Sequence, residues 1–542
     1  MKRLGTVAAL VLGLIVVAGM VGCGGGSSDG TGTEDAAGGG GSSASGPTLR
    51  MVGGDPLTLD PAIVTDAVSA SYIVEIFSGL VTIDRDLKLA PDIAKSWDVS
   101  PDGKIYTFHL RDDVVFQTTF RQVTAEDFKY SMERVANPDT ASTVAEAYLG
   151  DIVGARDMIN GTADHISGIE VVDQFTLRII IDEAKPYFLA KLACPTAFVV
   201  DRTQIEEDDR NWTKKPNGTG PYKVKDWKLG EKLVLQANER YTLGAPAVKT
   251  ISFQLSGGSQ LTMYEDDEID VAGISMNDIE RALDANDPLH SEYLSADIMS
   301  ISYLGFNTQK PPFDDVKIRL AFALAIDREK IVEVVLKDML EVAQSIMPPG
   351  LPGYNPAATV PAYDPENARQ LLSESRYGGP GGLPKITLSQ VGVGATAGDD
   401  IQAMVEMWKQ NLGVEVEIQQ TDQATFWRDL DRRDYQLFAA GWVMDYPDPE
   451  DVLDILFYSE SQQNTAGYNN PEIDRMLVQA RTEQDATKRM ALYQQVEQKI
   501  LADMPWVPLY YGRDHVVVKP YVKNYMLPSI VMPYLRYVTI EQ

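Results

Sequence analysis

The chain has 542 residues, 44% of them hydrophobic, and a formal charge of −30 at pH 7. That apolar content excludes a disordered body, and the acidity excludes nucleic acid as a partner, because phosphate is bound through clustered Lys and Arg. Only Cys23 and Cys194 carry thiols, and Cys23 belongs to the N-terminal segment, so the folded body has no internal disulfide and rests on its core.

Lys2 and Arg3 precede an apolar run from Leu4 to Val21 and the small pair Gly22-Cys23, the order of an export signal. The run lacks a basic stop-transfer flank, which argues against a spanning helix. Met20-Val21-Gly22-Cys23 resembles a bacterial lipobox, which implies acylation at Cys23. Residues 24–46 are almost all Gly, Ser, Ala, Thr and acidic residues, too poor in apolar groups to fold, and read as a flexible tether. The expected limits are 1–22 for the signal peptide and 23–46 for the tether. Two or more acyl chains on one cysteine suffice for stable attachment, so the expected place is the extracytoplasmic face of the cell membrane.

Residues 49–52 then read as a strand. Residues 69–80 read as a helix with Ile73, Ile76, Phe77 and Leu80 on one face, and Asp84-Arg85-Asp86 as a turn. Alternation over 104–111 predicts a strand. Thr124-Ala125-Glu126-Asp127 predicts a capping-box start for a helix through Phe128, Met132 and Val135. Residues 168–182 predict two strands around Asp173-Gln174. Pro216-Asn217-Gly218-Thr219-Gly220-Pro221 is dense turn chemistry before a strand pair over 222–238, and a lobe boundary falls near residue 205. From Phe313 one long helix is expected, with Val316, Leu320, Ala323, Leu324 and Ile331 spaced for burial. A proline-rich loop over 347–361 separates it from a helix that begins at Pro365. Strand 386–390, helix 401–412 and strand 414–419 form a strand-helix-strand unit, which favours parallel pairing. The sum is an α/β fold with mixed sheets.

Several of these segments carry a resemblance to the family 5 extracellular solute-binding proteins, the group of oligopeptide- and dipeptide-binding proteins. They are Leu89-Ala90-Pro91-Asp92-Ile93-Ala94-Lys95-Ser96-Trp97, continued through Ser100-Pro101-Asp102-Gly103-Lys104 and Val123-Thr124-Ala125-Glu126-Asp127-Phe128; then Gly218-Thr219-Gly220-Pro221-Tyr222, Lys310-Pro311-Pro312-Phe313, Ala325-Ile326-Asp327-Arg328, and Gly441-Trp442 with Asp445-Tyr446. The resemblance implies a two-lobed periplasmic-binding-protein-like clamp, class II and of the three-domain type, that closes on its ligand about a hinge. Carried onto this chain, domain I is 47–80, 206–308 and 514–542, domain II is 81–205, and domain III is 309–513. It implies the binding subunit of an ABC importer, a monomer without cofactor or catalysis, whose partners are a peptide and the membrane permease. The same group also binds non-peptide solutes such as nickel chelates, haem and sugar conjugates. A sensory receptor lipoprotein is a further alternative.

An enclosed peptide amine is a cation, and its burial is costly unless an anion faces it. The resemblance gives that role to Asp445. It places Gly441, Trp442 and Val443 where the family's backbone pairs with an extended peptide, a mode indifferent to side chains. A second backbone edge is expected near 65–69, centred on Ala67. Tyr148 and Tyr303 match the neighbourhoods of aromatic pocket residues, although both also suit core packing, as does Trp442. Ala439 replaces an arginine typical of oligopeptide binders. Ser300 and Val443 stand where some relatives carry two cysteines that link the lobes.

Other signals carry less. Gly392-Val393-Gly394-Ala395-Thr396-Ala397-Gly398 has the wrong spacing for a dinucleotide loop, although its backbone could face a cleft. The four histidines are scattered, and no zinc spacing is present. Asp445, Asp448, Glu450 and Asp451 lack calcium-loop spacing, and no G-x-S-x-G elbow occurs.

Overall fold

The computed structural model describes residues 46–392 and 397–541. The signal peptide, the proposed lipid attachment at Cys23, nearly all of the tether, and residues 393–396 of the glycine-rich loop lie outside the described residues.

Fourteen strands frame the molecule: β1 (Thr48–Val52), β2 (Ala94–Val99), β3 (Ile105–Leu110), β4 (Ile169–Asp173), β5 (Thr176–Ile180), β6 (Tyr222–Lys228), β7 (Lys232–Ala237), β8 (Thr250–Gln254), β9 (Val271–Gly273), β10 (Tyr293–Phe306), β11 (Ile386–Val391), β12 (Val416–Thr421), β13 (Leu437–Val443) and β14 (Trp506–Val518). Ten of them form one continuous sheet in the order β12-β11-β13-β10-β14-β9-β1-β8-β7-β6. The sheet is mixed: β11 pairs in parallel with β12 and β13, whereas β10 is antiparallel to both of its neighbours. A separate four-stranded antiparallel sheet runs β2-β3-β5-β4. Alternation in β3 buries Tyr106, Phe108 and Leu110 on one face, as the sequence pattern requires.

Burial divides along the same lines. The four-stranded sheet and helix α2 (Ala125–Ala136) enclose Phe108, Phe128, Met132 and Leu177. Strands β1, β6, β7 and β8 with helix α1 (Ala67–Ile76) enclose Leu49, Ile73, Leu233 and Ile251. A much larger core gathers Leu304, Phe322, Leu388, Trp408 and Val496. Val144, Tyr148 and Cys194, from the segment around the four-stranded sheet, join that larger core and so mark where the two bodies meet.

Local chemistry explains where elements stop. Helix α2 begins in a capping box between Thr124 and Asp127. Helix α1 ends at Ile76, short of the expected residue 80. The turn 216–221 seals it there: Gly220 N–H donates to Ile76 O at 2.9 Å and Thr219 Oγ1 accepts from Ser78 N–H at 3.0 Å. Buried Glu75 accepts from Tyr534 N–H and Leu535 N–H, both at 2.8 Å, and so pins the C-terminal segment to α1.

The long helix expected from Phe313 is in fact broken. Helix α3 (Val316–Leu324) stops, and Asp327 caps a new short turn through Lys330 N–H at 3.0 Å. Arg328 turns inward to donate to Pro508 O at 2.9 Å and to Ala343 O, which a straight helix would not permit. Val316, expected to be buried, is 37% exposed. The strand-helix-strand unit is as expected, with helix α4 (Asp399–Leu412) between parallel β11 and β12.

Candidate functional site

Strand β13 carries the chain into the site. It pairs with β10 along its whole length, from Leu437↔Phe306 to Val443↔Ser300. On its other side it pairs with β11 only at Leu437 and Phe438 among the described residues, so the backbone of 439–443 presents an edge there. After Val443 the chain turns, held by Met444 N–H to Met299 O at 2.8 Å.

The next residue, Asp445, faces a cavity of about 30 Å³ between the two bodies. One wall is Val443 and Asp445; the other is Val144, Tyr148, Cys194, Pro195 and Thr196; the segment 64–67 with Ala70 and Val531 completes it. The Tyr148 hydroxyl donates to Asp445 Oδ2 across the gap. The Cys194 thiol lies 4.0 Å from the Asp445 carbonyl. Burial pushes the Asp445 carboxyl up to about 6, moderated by Tyr148, and pushes the Tyr148 and Cys194 groups well above their ordinary values. No Lys, Arg or His pairs with Asp445 among the described residues. The space is room for a water or two and not for a peptide.

A second carboxyl stands behind the first. Asp451 Oδ2 accepts from Asp445 N–H at 2.9 Å and from Trp442 Nε1 at 3.1 Å, while its Oδ1 is buried without a partner. Burial, and then the charge of Asp445, hold the Asp451 carboxyl well above the usual range. Asp451 thus fixes the loop that aims Asp445. Sequence spacing showed it only as part of an acidic cluster.

Of the residues singled out beforehand, Asp445, Val443, Tyr148 and Ala67 converge on this cavity. Gly441 and Trp442 belong to β13, and Trp442 is 5% exposed with its indole on Asp451 rather than in the cavity. Tyr303 is not brought there: its ring stacks on Trp506 at 3.4 Å in the large core. The second backbone edge near 65–69 is a helix start and not a strand edge, since Asp66 caps α1 by accepting from Ser69 N–H at 2.8 Å. Positions 300 and 443 are register partners on β10 and β13, so cysteines there would join neighbouring strands of one sheet rather than the two lobes. Thr65 and Asp66 belong to the segment 65–69 expected at the site, whereas Cys194 and Thr196 were not foreseen, as nothing in their local sequence marks them.

Two bodies, a cavity between them and a long strand pair shared by the sheet define a two-lobed binding clamp. The profile of the bacterial extracellular solute-binding proteins, family 5 Middle, matches residues 88–464. The chain belongs to that family. It is 29% identical to the oligopeptide-binding protein OppA of Bacillus subtilis, over 99% of each chain. It is 31% identical to the periplasmic oligopeptide-binding protein OppA of Escherichia coli, over 88% of this chain and 89% of that one. Heme-binding protein A of Haemophilus influenzae is 28% identical, over 87% and 88%. Among solved structures, the murein tripeptide binding protein MppA of Escherichia coli aligns with a TM-score of 0.80 at 30% identity, covering 92% of this chain and 99% of that one. The unliganded open form of MppA, at the same identity and covering 92% and 98%, aligns at only 0.68. The lobes here are therefore not arranged as in that open form.

Proposed function

We propose that the protein is the extracytoplasmic binding subunit of an ABC importer, which captures peptides by their amino end between its lobes and delivers them to a membrane permease. The observation that carries this reading is Asp445: a half-buried carboxylate, without a cationic partner among the described residues, at an interlobe cavity. A ligand α-ammonium supplies the missing charge, and its desolvation is offset only by such an anion. The free edge of β13 offers backbone groups to an extended chain, independent of side chains. The names of the OppA and MppA relatives support a peptide.

In this reading domain I is 47–80, 206–308 and 514–542, domain II is 81–205 and domain III is 309–513; three separate cores support three domains, although residues 299–306 pack with the large core and Phe198, Val200 and Ile205 with that of domain I. Strands β10 and β14 form the hinge, because their pairing slips between Asp297 and Ile301. The protein acts as a monomer, performs no chemistry, and is held at the membrane by lipid on Cys23. Gly441, Val443 and Ala67 contact the ligand by backbone, Tyr148 frames the pocket, and Trp442 supports it from behind through Asp451.

A non-peptide cationic solute is the second reading, favoured by one observation: no Lys or Arg lines the cavity to meet a peptide carboxylate. Mass spectrometry of the ligand released from purified protein decides between them. Peptides with free amino ends are the expected result, and a non-peptide species overturns the peptide assignment.

A further inference from the structure

Capture as proposed uses Asp445 and the backbone, yet an ion pair between the lobes lies elsewhere. Lys191, at the end of the short helical turn Phe188–Lys191, is 3% exposed, and Glu450, at the start of the turn Glu450–Asp454, is 4% exposed. Their charged atoms meet at 2.9 Å. Lys191 is packed beside Phe188 and Leu192, which belong to the core of the four-stranded sheet. Glu450 precedes Val452 and Leu453, which belong to the large core.

Each partner is also prepared within its own lobe. Lys191 Nζ donates to Ala147 O at 2.8 Å and to Asp151 Oδ2 at 3.2 Å, and Asp151 is shared with Lys185 at 2.6 Å. The Glu450 carboxylate accepts from the Tyr446 hydroxyl, and its N–H is held by Asp448 Oδ1 at 2.9 Å. Asp448 in turn is gripped by Arg489, whose guanidinium lies 5.3 Å over the Tyr187 ring of the other lobe. A weaker contact, Gln484 Nε2 to Ala184 O at 2.9 Å, lies on the same seam.

We infer that Lys191 and Glu450 form a closure latch, an ion pair made only when the lobes meet, which sets how readily the clamp shuts without touching the ligand. This rests on the reading of the cavity as a ligand site closed by a hinge. The reason is a difference between two states. With the lobes apart both charges are hydrated and Lys191 retains Asp151; with the lobes together both are dry, and the Glu450 anion is tolerated only because Lys191 is beside it. Removing the Glu450 charge therefore penalises the closed state alone. Because the apparent affinity of a ligand scales with the closed population, all ligands weaken by one factor. Lys191 and Glu450 are thus positioning residues, whereas Asp445 discriminates ligands by their amine.

The test is Glu450→Gln in the purified protein, with small-angle scattering of the ligand-free form and calorimetric titration with trialanine and N-acetyl-trialanine. Expected are a more extended ligand-free ensemble, or trialanine affinity lowered by about 10- to 100-fold, with the ratio of free to acetylated affinity unchanged. Asp445→Asn serves as the contrast, since it should collapse that ratio. Unchanged scattering together with unchanged trialanine affinity overturns the latch, as does unchanged scattering if trialanine does not bind at all. A loss confined to the free-amine ligand overturns it too. The scattering readout involves no ligand, so failure of the peptide reading leaves it standing. If Glu450→Gln does not fold, Glu450→Asp, which keeps the charge but shortens its reach, supplies the same measurements with a smaller expected loss.

Discussion

Asp445 shows how a side chain acquires its role from where the fold puts it. In a turn before Pro447, an aspartate on its own is an ordinary cap, and only the resemblance of the surrounding Trp442-Val443-Met444-Asp445-Tyr446 segment singled it out. Burial against Tyr148 then raises its carboxyl to about 6. Replacing it with asparagine should weaken binding of free-amine peptides by about 2–5 kcal/mol, measured by calorimetry, because the ligand ammonium is left unpaired in the dry cavity. The pH dependence follows from the same group. The ligand-free closed carboxyl titrates near 6 and the ammonium-bound one titrates lower, so the complex holds fewer protons across that window. Affinity should be level between about pH 6 and about pH 8, where the peptide amine begins to lose its proton, and fall by up to about tenfold per unit below pH 6, as titrations in a buffer series will show. Cys194 could not be found from sequence because its importance is a matter of contact across 250 or so residues of chain, whereas Asp451, only six residues from Asp445, was visible merely as one of an acidic cluster whose spacing does not say which carboxyl turns inward.

At the level of elements, punctuation was more legible than length. The capping box at Thr124, the strand pair around Asp173-Gln174 and the parallel unit β11-α4-β12 follow from local rules of capping, turn chemistry and periodicity. The break after α3 does not, since its cause is a tertiary demand: Arg328 satisfies two distant carbonyls. Likewise α1 stops at Ile76 because a turn from far along the chain closes its end. A Cβ on Gly218 would stand 2.1 Å from Ile76 O and one on Gly220 2.7 Å from Glu75 O. Gly218→Ala should therefore cost about 1–3 kcal/mol of stability through overpacking against backbone, seen as a lower urea midpoint at unchanged slope. An unchanged midpoint would mean that the turn relaxes freely and that α1 ends for another reason.

For the molecule as a whole, the fold class was open to sequence reading, while the relative placement of the lobes was not. Placement depends on long-range pairing of β10 with β14 and on a few buried contacts between bodies. The lower TM-score against the unliganded open form of MppA, 0.68 beside 0.80, is in keeping with a difference in that placement. An ammonium held against Asp445 between the lobes also predicts that capture is only weakly sensitive to salt, because charges paired inside a cleft are screened less than exposed ones. Affinity for a free-amine tripeptide should change less than about threefold between about 0.05 and 0.5 M NaCl. A steep decline would place the amine at an exposed rim instead of against Asp445. The account as a whole is tested most directly by calorimetry of one peptide with and without an acetylated amino end. Acetylation should reduce affinity by at least about 30-fold, the equivalent of the lower bound of 2 kcal/mol, and equal affinities would contradict capture through the Asp445 carboxylate.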